Sequence, residues 1–260
     1  MLVMTNPLYK IPAIRAYIEN TIKARKSKKV LARLPLELDE YEKLLLCEIY
    51  VSGITMEPLT RLINTALSIV HVIEQGISGD FVECGVFKGG QGALAAGIFK
   101  HRKQQHRKVL LFDTYTGAPE PGEKDVRIST GEAAITKWRE TNGNWMKAGV
   151  EEVAGNLARL DVLTPNVRFI PGDVRVTMQC LENIPDCIAV LRLDTNQYDS
   201  TRAELETLYP RMSPSGILII NDYGFWAGTK QAVDEYFSDP ARQRPFLLAV
   251  DTAARFGAKP

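Results

Sequence analysis

The stretch from Gly79 to Gly92, GDFVECGVFKGGQG, is the sequence feature that most constrains how this chain folds. A short apolar run ends at Glu83, and three glycines follow before a segment with helical character: Gly85, Gly89 and Gly90. This order predicts a strand, a tight turn and a helix N-terminus, because glycine lets the backbone turn sharply and approach a ligand closely. The spacing differs from the G-x-G-x-x-G of dinucleotide-binding folds. A carboxylate at the strand end favours a cationic ligand over a pyrophosphate.

After Asp80, short apolar runs alternate with helical segments to the end of the chain. We predict five strands and a final pair, at Phe81–Glu83, Lys108–Phe112, Val167–Ile170, Ile188–Leu193, Gly216–Ile220, and about 246–250 and 254–259. Such alternation predicts a parallel sheet with helices on both faces. The final pair is too close in sequence for a helical crossover and predicts an antiparallel hairpin. The expected fold class is therefore α/β and Rossmann-like, with a mostly parallel seven-stranded sheet.

Two further regions complete the predicted organisation. Residues 1–78 precede the first strand and show apolar residues at helical spacing, in segments that we place at Pro7–Lys28, Asp39–Val51 and Pro58–Gln75. We interpret them as a helical extension that covers the substrate pocket, forms a dimer interface, or both. Residues 79–260 form the sheet domain, interrupted at 114–147 by a Gly- and Pro-rich insertion. Long insertions of this kind are active-site lids or mobile segments, and we favour a lid.

Composition excludes several classes of partner. The net charge of +1 gives no reason to expect a nucleic acid or an anionic membrane as a ligand. No apolar run approaches the roughly 18 residues of a membrane span. The N-terminus lacks a signal-peptide pattern, and the four scattered cysteines indicate reduced thiols. We therefore expect a cytoplasmic protein that acts on a small molecule, and the apolar N-terminal helices suggest a homodimer or a higher homo-oligomer.

Acidic residues follow the second and third predicted strands, where ligands bind in sheets of this kind. Asp113 follows the second strand, and an acid at this position accepts hydrogen bonds from ribose hydroxyls in nucleoside-binding sheets. The alternative is a strand-end Asp that starts a turn. Asp173 follows the third strand and has two equally good interpretations, a contact with an adenine amino group or the N-cap of the next helix.

The fourth and fifth predicted strands end in a possible set of metal ligands. Asp194 follows the fourth strand, and Asn221 and Asp222 follow the fifth. Two carboxylates and an amide oxygen are hard ligands that suit Mg²⁺. The structural alternatives are a helix cap at Asp194 and a turn at Asn221 and Asp222. Because these three side chains follow adjacent strands, we favour a metal site.

Several long blocks resemble one enzyme family, the macrocin O-methyltransferases of the class I S-adenosylmethionine (SAM) methyltransferases. The blocks include GDFVECGVFKGG, LFDTYTGAPEPG, LRLDTNQYDSTRAELETLYPRMSPSGILIINDYG and KQAVDEYF, and the resemblance runs from about Leu59 to Lys259. It implies a SAM- and Mg²⁺-dependent enzyme that methylates hydroxyl groups of antibiotics and related compounds. It also implies that Glu83 and the glycine turn hold the methionine end of SAM, with Asp113 at the ribose and Asp173 at the adenine.

The chain departs from the family at two positions that carry chemistry. The family has Asp where this chain has Asn196 and Asn221, and in part of the family the first of these acts as the general base. An amide cannot accept a proton in that way. Our candidate catalytic residues are therefore Asp194, Tyr198 and Asp199, with lid residues such as Lys137 as further substitutes.

These observations predict a Mg²⁺-assisted, SAM-dependent O-methyltransferase. Its acceptor is expected to be a hydroxyl of a small natural product, such as a sugar-bearing antibiotic, a polyketide or a phenol. Two alternatives stay open at this point. One is a SAM-binding enzyme with altered chemistry, either an N-methyltransferase or a metal-independent enzyme. The other is a non-catalytic partner or regulatory module.

Overall fold

A computed structural model describes residues 12–260, and the side chains from residue 23 onward. The helices are α1 Pro12–Leu31, α2 Glu40–Ser52, α3 Leu59–Glu74, α4 Gly90–His101, α5 Ala134–Glu140, α6 Val150–Arg159, α7 Val174–Thr177, α8 Tyr198–Leu208 and α9 Ala227–Tyr236. The strands are β1 Asp80–Cys84, β2 Val109–Asp113, β3 Val167–Pro171, β4 Ile188–Leu193, β5 Met212–Ile220, β6 Leu248–Ala249 and β7 Arg255–Ala258. The predicted helix Pro7–Lys28 begins outside the described residues, and its remainder is α1.

The seven strands form one sheet in the order β3-β2-β1-β4-β5-β7-β6. Strands β1 to β5 are parallel, and β7 runs antiparallel to both β5 and β6. The predicted fold class, with its terminal antiparallel hairpin, is therefore confirmed. All six residues of β4 are buried, as expected for a parallel strand covered on both faces. None of the described helices is long and apolar enough to cross a membrane.

The sheet order places a crevice at the carboxyl ends of β1 and β4. From β1 the chain builds first toward β2 and β3, and then returns to the other side at β4 and β5. Ligands bind at such a reversal in open α/β sheets. Gly85 follows β1 with φ 87°, and a Cβ there would lie 2.2 Å from the Asp194 carbonyl oxygen. Only glycine allows the two strand ends to approach this closely.

The N-terminal helices share a hydrophobic core with the sheet. Leu46 of α2 and Leu62 of α3 belong to the same buried cluster as Phe81 of β1 and Ile98 of α4. Helix α2 begins with a capping box, in which Asp39 and Glu42 exchange side chain to backbone hydrogen bonds. The predicted division at residue 78 stays a prediction, and the residues on its two sides pack together in one core.

The insertion (114–147) folds against the rest of the domain. It contains α5, and a bridge pairs Arg127 with Trp226, at the start of α9. Buried Asp125 accepts hydrogen bonds from the backbone amides of Tyr198 and Gly122, both at 2.8 Å. The insertion therefore caps the first residue of α8 with one of its own carboxylates.

The shared core predicts that a cavity in α2 destabilises the whole domain. Leu46 is fully buried, and Leu46→Ala should lower the free energy of unfolding by about 2–5 kcal/mol, since a large apolar side chain is removed from a packed site. The matched control is Leu44, which lies on the same helix and is 53% exposed. Leu44→Ala should change the free energy of unfolding by less than about 0.5 kcal/mol. Urea unfolding followed by circular dichroism measures both. A separate early transition in Leu46→Ala, with the main transition unmoved, would show an independent N-terminal unit.

Candidate active site

A cavity of about 510 Å³ runs along the carboxyl ends of β1 to β5. Its walls come from the turn after β1, from the insertion, and from the loop between α2 and α3 (residues 53–58). It contains most of the predicted site residues, namely Glu83, Gly85, Gly90, Asp113, Asp173, Asp194, Asn221 and Asp222. Gly89 lies just behind the wall, where a Cβ would meet Val153 of α6 at 2.6 Å.

Asp113 holds the glycine turn in place. Its Oδ2 accepts hydrogen bonds from the backbone amides of Val86 at 2.7 Å and Phe87 at 3.1 Å, and its Oδ1 accepts one from the Tyr115 amide at 2.8 Å. These bonds fix the turn after β1 to the end of β2. Asp113 also lines the cavity, and its contact with a ribose stays a prediction.

Glu83 presents an unpaired carboxylate oxygen. It is buried and lines the cavity, and its Oε1 accepts a hydrogen bond from Arg192 Nη1 at 2.9 Å. Its Oε2 has no hydrogen-bond partner among the described residues. Burial raises the pKa of Glu83 to about 8, even though the charge of Arg192 opposes this shift. A buried oxygen without a partner at the cavity wall fits a ligand that carries a cationic N–H group, because the charge of that ligand would favour the ionised carboxylate.

Arg192 is the centre of the polar network, and it is not among the predicted site residues. The side chain is 1% exposed, and it donates hydrogen bonds to Glu83, to Asp194 at 2.8 Å and to Asn221 at 3.0 Å. It also lies 3.2 Å from Glu57 Oε1. Burial alone would lower the pKa of Arg192, but the surrounding acids raise it above its usual value. The available signal was a charged residue inside the apolar strand IAVLRL, because a buried charge requires partners.

The three predicted metal ligands meet at one point. The Asn221 Nδ2 lies 2.7 Å from Asp194 Oδ1, 2.9 Å from Glu57 Oε1 and 3.4 Å from Asp222 Oδ2. Burial raises the pKa of Asp194 well above its usual range. The charge of Arg192 opposes this shift, and the charges of Glu57 and Asp222 add to it. Burial raises the pKa of Asp222 as well. These carboxylates therefore repel one another in a weakly solvated site.

Two charged residues of the N-terminal region complete the network, and the sequence pattern did not indicate either. Glu57 reaches the site from the loop between α2 and α3. Arg61 of α3 lies 3.1 Å from Glu57 Oε2 and 3.6 Å from Asp222 Oδ1, and its Nε donates to Asp251 at 2.7 Å. Arg61 therefore links the N-terminal region to the residues between β6 and β7.

Asp173 adopts the helix-capping role that was one of its two interpretations. Its Oδ1 accepts a hydrogen bond from the Arg175 backbone amide at 2.9 Å, at the start of α7. The Arg175 side chain also pairs with the carboxylate. Because Asp173 lines the cavity as well, its contact with an adenine amino group stays a prediction.

The structure does not bring Tyr198 or Asp199 to the cavity. The Tyr198 hydroxyl bonds to Glu235 Oε2 at 2.5 Å, and Lys124 Nζ lies 3.4 Å from the centre of its ring. Asp199 is exposed in the first turn of α8. Helix α8 begins at Tyr198, so both side chains follow the helix surface instead of the strand end. Among the three predicted catalytic residues, Asp194 lines the cavity.

Asn196 and three aromatic side chains line the part of the cavity nearest the insertion. Asn196 has φ 67°, a conformation that Asn tolerates better than most residues, and its Oδ1 is buried without a partner. Trp145 and Trp226 line the same part, with ring centres 5.9 Å apart, beside Phe225. Lys137 lines it too. This arrangement offers an apolar surface beside a free hydrogen-bond acceptor, Asn196 Oδ1.

The pKa of Glu83 predicts how stability depends on pH. The folded protein keeps a proton on Glu83 up to about pH 8, whereas an unfolded Glu releases it near pH 4.5, so the free energy of unfolding falls as the pH rises between these values. Glu83→Gln mimics the protonated form. Between about pH 6 and about pH 9, the free energy of unfolding of wild type should fall by at least about 2 kcal/mol more than that of the variant.

Urea unfolding at the two pH values measures this difference, with the exposed Glu182→Gln as the matched control. Equal losses in wild type and Glu83→Gln would show that Glu83 stays ionised throughout.

Comparison with known proteins identifies the family. Residues 11–257 match the model of the family described as Macrocin-O-methyltransferase (TylF). Demethyldecarbamoylnovobiocin O-methyltransferase of Streptomyces niveus is 36% identical over 183 residues, which cover 70% of this chain and 67% of that protein. The 8-demethyl-8-(2,3-dimethoxy-alpha-L-rhamnosyl)-tetracenomycin-C 4'-O-methyltransferase of Streptomyces olivaceus is 34% identical over 192 residues, 72% of this chain and 70% of that protein.

A solved structure agrees with these matches. The O-methyltransferase NovP superposes with a TM-score of 0.70 at 28% identity, and the alignment covers 93% of this chain and 99% of NovP. The predicted family and the predicted O-methyl transfer are thereby confirmed. The chain belongs to the macrocin O-methyltransferase family of SAM-dependent methyltransferases.

Proposed function

We propose that this methyltransferase acts on a hydroxyl group of a small natural product, most simply a sugar-bearing antibiotic. The two sequence relatives are named for a novobiocin precursor and a rhamnosyl tetracenomycin. The observation that carries the proposal is the continuity of the cavity from Glu83 to the aromatic surface at Trp145 and Trp226. One end suits a cationic cofactor, and the other suits an apolar acceptor with a hydroxyl. The insertion acts as the lid that excludes water during transfer.

The cofactor is assigned to the strand ends. Glu83, with its free Oε2, and the turn at Gly85, Gly89 and Gly90 receive the methionine end of SAM. Asp113 accepts hydrogen bonds from the ribose, and Asp173 accepts one from the adenine amino group. Support comes from the order of the strands, because Glu83 and Asp113 lie at the carboxyl ends of β1 and β2, and Asp173 follows β3.

The chemistry is a direct displacement. The acceptor oxygen attacks the methyl carbon of SAM, and the new C–O bond forms as the C–S bond breaks, which leaves S-adenosylhomocysteine (SAH). We assign the hydroxyl proton to Asp194, because this carboxylate lines the cavity and burial raises its pKa. Asn196 Oδ1 accepts a hydrogen bond from a second polar hydrogen of the acceptor, beside the reacting hydroxyl. The protein contributes mainly by holding the reacting atoms in line.

Mg²⁺ is also part of the proposal, held by Asp194, Asn221 and Asp222. Among residues 23–260 no three His, Cys, Asp or Glu side chains are gathered as metal ligands, and the proposed third ligand is the Asn221 amide oxygen. This oxygen accepts from Arg192 Nη2 at 3.0 Å, so Asn221 would have to rotate its amide to bind the metal. The charge of the site supports a cation, because the carboxylates here outnumber the guanidinium groups of Arg61 and Arg192. A bound Mg²⁺ would align the acceptor hydroxyl and lower its pKa.

A cytoplasmic location and a homo-oligomeric state stay predictions.

The metal proposal predicts opposite effects for two neighbouring substitutions. Asn221→Asp adds a charged ligand and should tighten Mg²⁺ binding about tenfold, whereas Asp222→Asn removes one and should weaken it about tenfold. Isothermal titration with Mg²⁺ measures both, and the exposed Asp239→Asn is the control. Removal of the metal with a chelator should abolish turnover. Full turnover in the chelator, together with no heat of Mg²⁺ binding, would reject the metal.

The acceptor proposal predicts an O-methyl product. With isotope-labelled SAM and demethyldecarbamoylnovobiocin, the product should gain one labelled methyl group, which NMR places on oxygen. Asp194→Asn should reduce turnover at least about a hundredfold, because it removes the proton acceptor. Asn196→Asp supplies a second carboxylate beside the acceptor and should raise turnover of a sugar hydroxyl. A labelled methyl on nitrogen, or unchanged turnover in Asp194→Asn, would contradict this assignment.

A further inference from the structure

Arg127 presents an unpaired N–H group at the part of the cavity nearest the insertion. It belongs to the insertion and lines the cavity, as Phe225 does. Its Nε is buried and has no hydrogen-bond partner among the described residues. Its Nη1 lies 3.8 Å from Glu132 Oε2, which is beyond hydrogen-bond distance. A buried donor on a charged group costs stability when it has no acceptor, so this N–H calls for an explanation.

The backbone of Arg127 holds this segment in place without help from the side chain. The Arg127 amide donates to the Glu132 carbonyl at 2.8 Å, and the Arg127 carbonyl accepts from the Gly131 amide at 2.8 Å. The next amide, of Ile128, donates to the Phe225 carbonyl at 2.9 Å. The side chains of Arg127 and Glu132 are 38% and 54% exposed, and such an ion pair adds little stability. The guanidinium is therefore free to serve a ligand.

Two contacts orient the guanidinium of Arg127. Its central carbon lies 4.7 Å from the centre of the Phe225 ring, and a cation over an aromatic face is attracted to it. Nη1 faces Glu132, so Nε and Nη2 form the edge that is left for another partner. This edge of an arginine donates two parallel hydrogen bonds, and its spacing matches the two oxygens of a carboxylate.

The charges of the cavity are divided between its two sides. The strand ends and the loop between α2 and α3 contribute the acids around Arg192 described above. The insertion contributes two cations, Arg127 and Lys137, and one acid, Glu132, to the described cavity wall. Lys137 pairs at 3.0 Å with Glu140, which lies outside that wall. The insertion side therefore suits a negative group, whereas the strand ends suit a positive one.

We infer that Arg127 binds an acidic group of the acceptor, donating from Nε and Nη2 to two oxygens of a carboxylate or a similar oxyanion. The acceptor hydroxyl then lies at Asp194, and Trp145 and Trp226 contact the apolar part of the same molecule. The inference rests on the proposed function, because it narrows that acceptor to a hydroxylated natural product with an acidic group. It adds a specificity-determining residue in the insertion.

Two small probes test the anion contact without methyl transfer. Benzoate carries a carboxylate on an aromatic ring, and benzamide has nearly the same shape without the charge. With the cofactor site filled by SAH, wild type should bind benzoate at least about tenfold more tightly than benzamide, as expected for charge-assisted hydrogen bonds. In Arg127→Met the preference should fall below about twofold. In Arg127→Lys about threefold should remain, because Lys keeps the charge but lacks the two-donor edge. Ligand-observed NMR titration measures the dissociation constants.

A control variant and a stability measurement separate this role from a structural one. Arg139 is exposed on α5 of the same insertion and lies away from the cavity wall, so Arg139→Met should leave both dissociation constants unchanged. The melting temperature of Arg127→Met should stay within about 3 °C of wild type, because the backbone bonds of the segment remain. A larger fall, together with equal weakening of benzoate and benzamide, would show a structural role and overturn the inference.

Competition places the anion in the acceptor site. Benzoate should inhibit methylation of demethyldecarbamoylnovobiocin competitively with that acceptor, and its inhibition constant should rise about tenfold in Arg127→Met. Non-competitive inhibition, equal affinity of wild type for benzoate and benzamide, or an unchanged preference in Arg127→Met would each overturn the inference. The proposed function fails differently, by the absence of an O-methyl product from hydroxyl acceptors. The titration with the two probes does not depend on that reaction.

Discussion

The buried guanidinium of Arg192 is the interaction on which the rest of the site depends. It lies in β4 and bonds to Glu83 of β1 and Asn221 after β5, so it joins three adjacent strands at their carboxyl ends. It also contacts Asp194 and Glu57. Loss of one partner from a buried ion pair costs about 3–5 kcal/mol, since the remaining charge has no solvent. Here several acids share one cation, so the site is held together by Arg192 while keeping an excess of negative charge.

That excess of negative charge bears on two amides, Asn196 and Asn221, at positions where the family resemblance implies acids. Asn221 donates to Asp194 and Glu57, which an aspartate at the same position could not do. Asn196 leaves an acceptor in the cavity without adding a charge. Both exchanges lower the electrostatic repulsion among the carboxylates. In the proposed mechanism the proton acceptor is Asp194, whose pKa burial raises.

The fold was predictable from local patterns, whereas the network was not. Apolar runs, helical periodicity and the glycine turn are patterns of neighbouring residues. They predict the strands, their order along the chain and the residues that follow them. The contacts of Glu57 and Arg192 join segments 164 and 109 residues apart, as in the bonds Asn221–Glu57 and Arg192–Glu83, and no local pattern reports them. Tyr198 illustrates the opposite error. It follows Asp194 closely in sequence, but a helix begins there and carries its side chain to Glu235.

The ion pair between Arg61 and Asp251 has a consequence for the order in which the enzyme matures. Arg61 lies in α3, before the first strand, and Asp251 lies between the last two strands, β6 and β7. A ribosome exposes Asn221, Asp222 and Asp251 only after every other strand-end residue of the cavity has emerged. Until then Glu57 and Arg61 have no acids of β5 or of the terminal hairpin to contact. A nascent chain that ends at β5 therefore has the five parallel strands but lacks the terminal hairpin and these acids, so its cavity is incomplete.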